Sequence, residues 1–184
     1  MEAGRLTVLY VDDDHNDLAL FGAAAERSDL DIWVQTASAV DQAIEILEGR
    51  GAYADRSLHP LPDVILLDLV MPAQSGFDFL QWHHDSAFES IPVIVFCGSS
   101  YEDDRQRALT LGAHFFVEKP ASFDELQQVV RRLWSFGMSL RHASLAENPA
   151  GKARGGKAEN RAGKSEGRRA KGEGKPKSEA RRPE

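Results

Sequence analysis

The chain has 184 residues, a formal net charge of −7 and one cysteine. A single cysteine excludes an intrachain disulfide and any cysteine-based metal framework, and it suits a reducing compartment such as the cytoplasm. The sequence has no apolar run of the roughly 20 residues that a membrane span needs, and its acidic start does not resemble a signal peptide. We therefore expect a cytoplasmic protein without a transmembrane segment.

The net charge conceals two stretches of opposite charge. From Pro149 onward there are twelve Lys and Arg against five Glu, a net of +7, whereas the first 148 residues carry −14. After Leu145 no aliphatic side chain is larger than that of Ala and none is aromatic, so this part cannot bury enough apolar surface to fold. The sequence predicts one folded domain over 1–145 and a disordered basic tail, rich in Gly, Ala, Lys and Arg, over 146–184.

Short apolar runs alternate with amphipathic segments along the folded part. Runs that are apolar throughout are typical of strands covered on both faces of a parallel sheet. The amphipathic segments begin near Ser and Asp residues, which favour helix N-termini. In chain order, strands are predicted at Leu6–Val11, Asp31–Thr36, Val64–Leu67, Ile91–Phe96 and His114–Glu118, and helices near 15–27, 38–49, 76–85, 101–112 and 122–137.

Five strand–helix units with right-handed crossovers predict an α/β fold, a flavodoxin-like (βα)5 doubly wound parallel sheet with strand order 2-1-3-4-5. Functional groups in such a sheet lie beyond the carboxyl ends of the strands, where the strand order reverses between strands 1 and 3. Strand 1 is followed by Asp12, Asp13 and Asp14, and strand 3 is followed by Asp68. We expect these carboxylates to meet in one pocket, with Asp14 serving only as a helix cap.

The residue types in this pocket indicate phosphoryl transfer. Packed carboxylates repel one another unless a cation neutralises them, and a small set of hard oxygen ligands suits Mg²⁺. A carboxylate beside such a metal can attack phosphorus and form an acyl phosphate. Lys119 follows the fifth strand, so its ammonium is expected at the same edge of the sheet, facing the phosphoryl oxygens.

Five motifs resemble those of the receiver domain of two-component response regulators, from Leu6 to about Phe136. Their order and spacing are similar to those of the family, and together they span the folded part of the chain. The motifs are Val8–Asp14, Asp63–Pro72 with Gly76 after it, Ile91–Val93, Leu111–Ala113 and Lys119–Pro120.

The resemblance implies a role for each residue of the pocket. Asp68 would accept a phosphoryl group from a histidine kinase or a histidine phosphotransfer protein. Mg²⁺ would be bound by Asp13 directly, by Asp12 largely through water, by Asp68, and by the backbone carbonyl of Val70. Lys119 would contact the phosphoryl group.

The resemblance also implies how a signal would leave the domain. Phe116 occupies the position of the family's switch aromatic residue, and Pro120 would follow a cis peptide bond. Downstream partners would bind the face of helix 4, strand 5 and helix 5, within about Ser100 to Phe136. The motif order is also similar to that of phytochrome-associated single-domain regulators, which favours a sensory kinase, such as a light-linked one, and a homodimer.

Cys97 departs from the family pattern. The family's strand 4 normally ends in Thr or Ser, whose hydroxyl bonds to a phosphoryl oxygen, and a thiol is a weaker donor over a longer distance. We expect phosphorylation at Asp68 with weakened switching, unless Ser99 or Ser100 takes over this contact. The alternative for Cys97 is that of a small, buried apolar residue.

The sequence therefore predicts a single-domain response regulator, not an enzyme, that signals by altered protein binding. One alternative is a pseudo-receiver that is not switched by phosphorylation. A less favoured one is a haloacid-dehalogenase-like phosphatase with Asp12 as nucleophile and Asp14 as general acid, although Asn16 stands where that family has Thr or Val. The tail is either a solubilising appendage or a nonspecific contact to nucleic acid, anionic lipid or the acidic domain itself.

Overall fold

The structure, a computed structural model, describes residues 5–98 and 101–147, with side chains described as far as 143. Five strands and five α-helices alternate within these residues. The strands are β1 (Leu6–Val11), β2 (Ile32–Ala37), β3 (Val64–Leu67), β4 (Val93–Cys97) and β5 (Phe115–Glu118). The helices are α1 (His15–Glu26), α2 (Val40–Glu48), α3 (Gly76–His84), α4 (Glu102–Thr110) and α5 (Phe123–Glu147).

The strands form one parallel sheet in the order β2-β1-β3-β4-β5, which confirms the predicted fold class and strand order. Val11 at the end of β1 pairs with Leu67 at the end of β3. Parallel neighbours point their carboxyl ends to the same edge, so the residues that follow these two strands begin side by side.

Helices cover both faces of the sheet. Every residue of β1, β3 and β4 is buried, as the continuous apolar runs predict. One face packs against α2, α3 and α4, and the opposite face packs against α1 and α5. The central strands are therefore held rigidly from both sides, and the loops that follow them start from fixed points.

Helix α5 is longer than predicted, because it continues from the predicted end at 137 to Glu147. Arg141 extends its packing, with Nε 2.8 Å from Oδ1 of Asp63 and Nη1 donating to the carbonyl of Arg5 at 2.7 Å. The predicted domain boundary at 145 lies in the last turn of this helix, and the predicted tail beyond residue 147 lies outside the described residues. No described helix, α5 included, has the length and apolar character needed to cross a membrane.

The connection between α2 and β3 folds back onto α2. Arg56 donates from Nη1 to the carbonyl of Ile46 at 2.7 Å and from Nη2 to that of Leu47 at 2.6 Å, and so adds partners for the carbonyls at the end of the helix. The same connection leaves Leu58 exposed at 60%. Arg56 thus ties this segment to the end of α2.

Candidate functional site

The pairing of β1 with β3 brings three of the predicted carboxylates together. Asp68 donates its backbone N–H to the carbonyl of Val11 at 2.9 Å, which fixes the end of β3 beside the end of β1. Carboxylate oxygens of Asp12, Asp13 and Asp68 all lie within 4.8 Å of one another. Asp14 is exposed and caps α1, accepting a hydrogen bond of 2.8 Å from the backbone of Asn16. This arrangement agrees with the expected pocket and with the expected cap.

Burial sets the electrostatics of the pocket. Asp12 is 1% exposed and Asp68 is 5% exposed, whereas Asp13 is half-buried. Burial raises the pKa of Asp68 above its usual range and the charge of Asp12 adds to this, although Lys119, the thiol of Cys97 and the backbone of Val70 act in the opposite direction. Two buried carboxylates in contact distance favour a cation that neutralises them.

Three donors hold Asp12 in a fixed orientation. Its Oδ2 accepts hydrogen bonds from the hydroxyl of Tyr10 at 2.6 Å and from Nζ of Lys119 at 2.7 Å. Its Oδ1 accepts from the backbone N–H of Asp14 at 2.9 Å. Burial of Tyr10, and then its bond to Asp12, raise the pKa of the phenol well above its usual value, so Tyr10 keeps its proton and remains a donor.

Lys119 reaches the pocket from the end of β5. Its backbone N–H donates to the carbonyl of Cys97 at 2.9 Å, and its Nζ lies 2.7 Å from Asp12, 2.8 Å from Asp17 and 3.6 Å from Oδ1 of Asp68. Burial by itself lowers the pKa of this lysine, but its hydrogen bonds with Asp12 and Asp17 and the charge of Asp68 raise it overall. Lys119 is therefore a permanent cation at the edge of the acid cluster.

Asp17 belongs to this cluster and was not predicted from the sequence. It lies in the first turn of α1, and its side chain is 35% exposed. The only sequence signal was an acidic residue near the start of a helix, which is a common stabilising feature and does not by itself indicate a site.

The remaining predicted residues have different relations to the acids. Cys97 ends β4, is buried, and hydrogen-bonds through its side chain to Asp68. Val70 donates its backbone N–H to Oδ2 of Asp68 at 3.1 Å, and its side chain is 69% exposed. Phe116 is half-buried and packs on the opposite side of the sheet from α1 and α5. Metal binding by the carbonyl of Val70 and a cis bond before Pro120 stay predictions.

The donor set suits a divalent cation of the hard class. All three candidate ligands are carboxylates, two of them buried, and Lys119 is the cation that approaches them within 4.0 Å among the described residues. Mg²⁺ prefers a small number of oxygen ligands and keeps other positions for water or phosphate. The residues present therefore fit Mg²⁺, while Ser99 and Ser100, which the sequence offered as substitutes for Cys97, lie outside the described residues.

Comparison with known proteins gives one consistent family. The sequence profile of the family described as "Response regulator receiver domain" matches residues 8–131. Among curated proteins, response regulator Rre1 of Synechocystis sp. is 36% identical over 76 residues, which cover 41% of this chain and 33% of that protein. The chain therefore spans only about a third of the length of Rre1.

Two solved structures are similar over nearly their whole length. The phosphorylated cyanobacterial phytochrome response regulator RcpA is 28% identical with a TM-score of 0.66, covering 74% of this chain and 96% of that chain. The Mn²⁺-bound form of response regulator Rcp1 is 26% identical with a TM-score of 0.62, covering 72% of this chain and 94% of that chain.

Proposed function

The chain belongs to the response regulator receiver domain family, and on this premise we propose that it is a phosphorylation-dependent switch in which Asp68 accepts the phosphoryl group. One observation carries the proposal: Asp68 is 5% exposed, its carboxylate lies within 4.8 Å of those of Asp12 and Asp13, and Nζ of Lys119 is 3.6 Å from its Oδ1. A nucleophile, a set of metal ligands and a counter-charge thus share one pocket at the edge of a rigid sheet.

The chain's own groups account for most of the reaction. A carboxylate oxygen of Asp68 forms the new bond to phosphorus, while the bond from phosphorus to the imidazole nitrogen of a phosphohistidine, or to the acyl oxygen of acetyl phosphate, breaks and its electron pair leaves with the donor. Lys119 stabilises the charge on the phosphoryl oxygens. Mg²⁺ bound by Asp12, Asp13 and Asp68 would neutralise the remaining negative charge.

We propose a histidine kinase or a histidine phosphotransfer protein as the donor. The phytochrome response regulator RcpA is similar over most of this chain, which supports a sensory and light-linked kinase. In this proposal the protein acts by binding partners in the cytoplasm rather than as an enzyme.

The proposed output surface is the face of α4, β5 and α5. Three large apolar side chains of this region are exposed, Tyr101 at 71%, Phe115 at 49% and Leu109 at 38%. Phe115 also packs edge-on against Phe136 of α5, with ring centroids 5.2 Å apart. Exposed large apolar side chains on α4 and β5 are consistent with a surface that binds a protein partner or a second copy of the chain.

The phosphatase alternative is disfavoured by the surroundings of its two required residues. Asp12, its nucleophile, is buried and occupied by three donors. Asp14, its general acid, accepts hydrogen bonds from Asn16, and the bond from the backbone N–H above all lowers the pKa of Asp14, whereas a general acid needs a raised pKa. The pseudo-receiver alternative is kept, because the weak donor Cys97 faces Asp68.

Mass spectrometry of the full chain after treatment with acetyl phosphate and Mg²⁺ tests the proposal. We expect one added phosphoryl group that is absent in Asp68→Asn and retained in the matched variant Asp63→Asn, whose carboxylate lies at the start of β3 rather than at its end. Wild-type protein without a phosphoryl group would favour the pseudo-receiver. A phosphoryl group that persists in Asp68→Asn but is lost in Asp12→Asn would favour the phosphatase.

The output surface and the tail need separate measurements. Sedimentation velocity with and without phosphodonor, on Phe115→Glu and on the control Leu58→Glu, tests whether the α4, β5 and α5 face forms a homodimer. For the tail, we propose a nonspecific electrostatic contact to nucleic acid or anionic surfaces. Such a contact is expected to weaken steeply as salt concentration rises.

A further inference from the structure

Lys119 is held by two carboxylates that do not include the proposed phosphoryl acceptor. Its Nζ lies 2.7 Å from Oδ2 of Asp12 and 2.8 Å from Oδ2 of Asp17, both normal hydrogen-bond distances. Its distance to Oδ1 of Asp68 is 3.6 Å, which is too long for a hydrogen bond. The ammonium of Lys119 therefore lies near Asp68 without a hydrogen bond to it.

The two carboxylates on Lys119 have unequal surroundings. Asp12 is 1% exposed and is fixed by further bonds to Tyr10 and to the backbone of Asp14. The side chain of Asp17 is 35% exposed, and it contacts Lys119, which lies 102 residues away in sequence. Asp17 lies on the solvent-exposed side of this ion pair, and solvent screening reduces what such a pair contributes to folding stability.

Asp17 is one of the carboxylates that attract the ammonium of Lys119. The acids within 4.0 Å of Nζ, among the described residues, are Asp12, Asp17 and Asp68. If Asp17 lost its charge, Asp68 would be the remaining carboxylate toward which the ammonium could move. A direct bond from Lys119 to Oδ1 of Asp68 would engage a lone pair of the carboxylate and so lower its reactivity toward phosphorus.

We propose that Asp17 is a positioning residue that holds Lys119 off Asp68 until a phosphoryl group arrives. The inference rests on the proposed function of Asp68 and deepens it. The phosphoryl group brings additional negative charge and acceptor oxygens to the same side of Lys119, and these compete with Asp17 for the ammonium. Asp17 thus keeps the nucleophile accessible in the resting protein, and the new phosphate draws the lysine to itself.

The test compares two isosteric, charge-removing substitutions in the full chain. Asp17→Asn keeps the shape of the side chain but removes its charge. Asp14→Asn removes a charge from the same helix start without contacting Lys119 within 4.0 Å, and Asn is as good a helix cap as Asp. Removing a negative charge near the site helps an anionic donor to approach, so a general charge effect would speed both variants.

Two readouts are measured on wild type and both variants. With acetyl phosphate and saturating Mg²⁺, we expect the initial rate of phosphorylation to fall roughly fivefold in Asp17→Asn, which corresponds to about 1 kcal/mol in the barrier, and to be unchanged or faster in Asp14→Asn. Without Mg²⁺ or donor, the NMR signal of the Lys119 ε-ammonium, assigned from its loss in Lys119→Arg, should shift in Asp17→Asn and not in Asp14→Asn. The melting temperatures of the wild-type protein, Asp17→Asn and Asp14→Asn should agree with one another.

The possible results separate the two proposals. Wild-type protein that is not phosphorylated would refute the proposed function together with this inference. Phosphorylated wild type with an equal or faster rate in Asp17→Asn, or an unchanged ε-ammonium signal, would overturn the role of Asp17 and leave the function of Asp68 intact. An equal fall in rate in both variants would also overturn it, because Asp14 does not touch the lysine.

Discussion

The hydroxyl of Tyr10 donates a hydrogen bond of 2.6 Å to Oδ2 of Asp12, and both residues are buried to within 1% of full burial. Tyr10 also packs its ring against Phe21 and Phe96, with centroids 5.2 and 5.9 Å away. Tyr10 therefore packs its ring in the apolar core and donates its hydroxyl to the acid cluster. Core packing and the orientation of Asp12 are coupled through one side chain.

Tyr10→Phe should lower the free energy of unfolding by about 1 to 3 kcal/mol, because it keeps the ring contacts but removes a donor from a buried carboxylate. Urea unfolding of the metal-free protein measures this change. Tyr101→Phe is the matched control, since Tyr101 is 71% exposed. Equal stabilities of the wild type and Tyr10→Phe would show that the bond to Asp12 contributes nothing to the fold.

Gly76 is required where α3 approaches the loop after β3. A Cβ atom at this position would lie 2.3 Å from the carbonyl oxygen of Asp68 and 2.8 Å from Cα of Leu69. Because both contacts are backbone, Gly76→Ala should displace the segment that carries Asp68, lower the free energy of unfolding by about 1 to 3 kcal/mol and slow phosphorylation.

Gly22→Ala is the control for that substitution. A Cβ at Gly22, inside α1, would meet no atom within 4 Å. Alanine is the better helix former, so the free energy of unfolding of this variant should rise by about 0.5 to 1 kcal/mol. Its phosphorylation rate should equal that of the wild type. If Gly76→Ala matched Gly22→Ala in stability and in phosphorylation rate, the close approach of α3 to Asp68 would not be required for folding or for phosphorylation.

The sheet could be predicted because its information is local. Each central strand is a continuous apolar run, and β3 has the predicted limits Val64–Leu67. The end of α5 could not be predicted in the same way. A glycine such as Gly137 usually weakens a helix, and the sequence therefore suggests a helix end near it. In the structure, however, Gly137 lies inside α5, where a Cβ atom would lie only 2.3 Å from Cδ1 of Leu6. Arg141 then fixes the extra turns by contacts with Asp63 that no local pattern contains.

The site divides in the same manner. Asp12, Asp13 and Asp68 could be predicted, since each follows a strand whose neighbours follow from the fold. Asp17 could not, because it meets Lys119 only through the placement of α1 against the end of β5. Its residue type and position are ordinary for a helix start, so only the tertiary structure distinguishes it from a solvated acid.

Cys97→Thr should strengthen the coupling between phosphorylation and the α4, β5 and α5 face. The thiol already bonds to Asp68, and a hydroxyl in its place is a stronger donor to a phosphoryl oxygen. A gain of one hydrogen bond, about 1 kcal/mol, corresponds to roughly a fivefold shift in the equilibrium between resting and switched forms.

Amide NMR spectra of the phosphorylated protein, with the signals of β5 as reporters, measure this shift. Cys97→Ala is the control, because it removes the donor and should leave the smallest switched population. Identical spectra for the phosphorylated wild type, Cys97→Thr and Cys97→Ala would show that the side chain at position 97 does not set the switched population.

His83 should make the fold sensitive to mild acid. It is 4% exposed, stacks on Phe79 with ring centroids 5.8 Å apart, and its Nε2 has no hydrogen-bond partner among the described residues. Burial lowers the pKa of His83 below its usual value and the charge of His114 adds to this, whereas the backbone of Phe88 and the charge of Glu89 oppose the shift.

Because the folded protein has the lower pKa at His83, the unfolded chain binds the proton first. The stabilising contribution of neutral His83 is therefore complete above the unfolded value of about 6.5 and is lost as the pH falls below it. Chemical unfolding between about pH 7 and pH 5 should show a decline in stability that is reduced in His83→Gln. His84→Gln, at the neighbouring position whose side chain is 58% exposed, is the control for the substitution itself. A slope that is the same in His83→Gln and in the wild type would mean that other groups cause the decline.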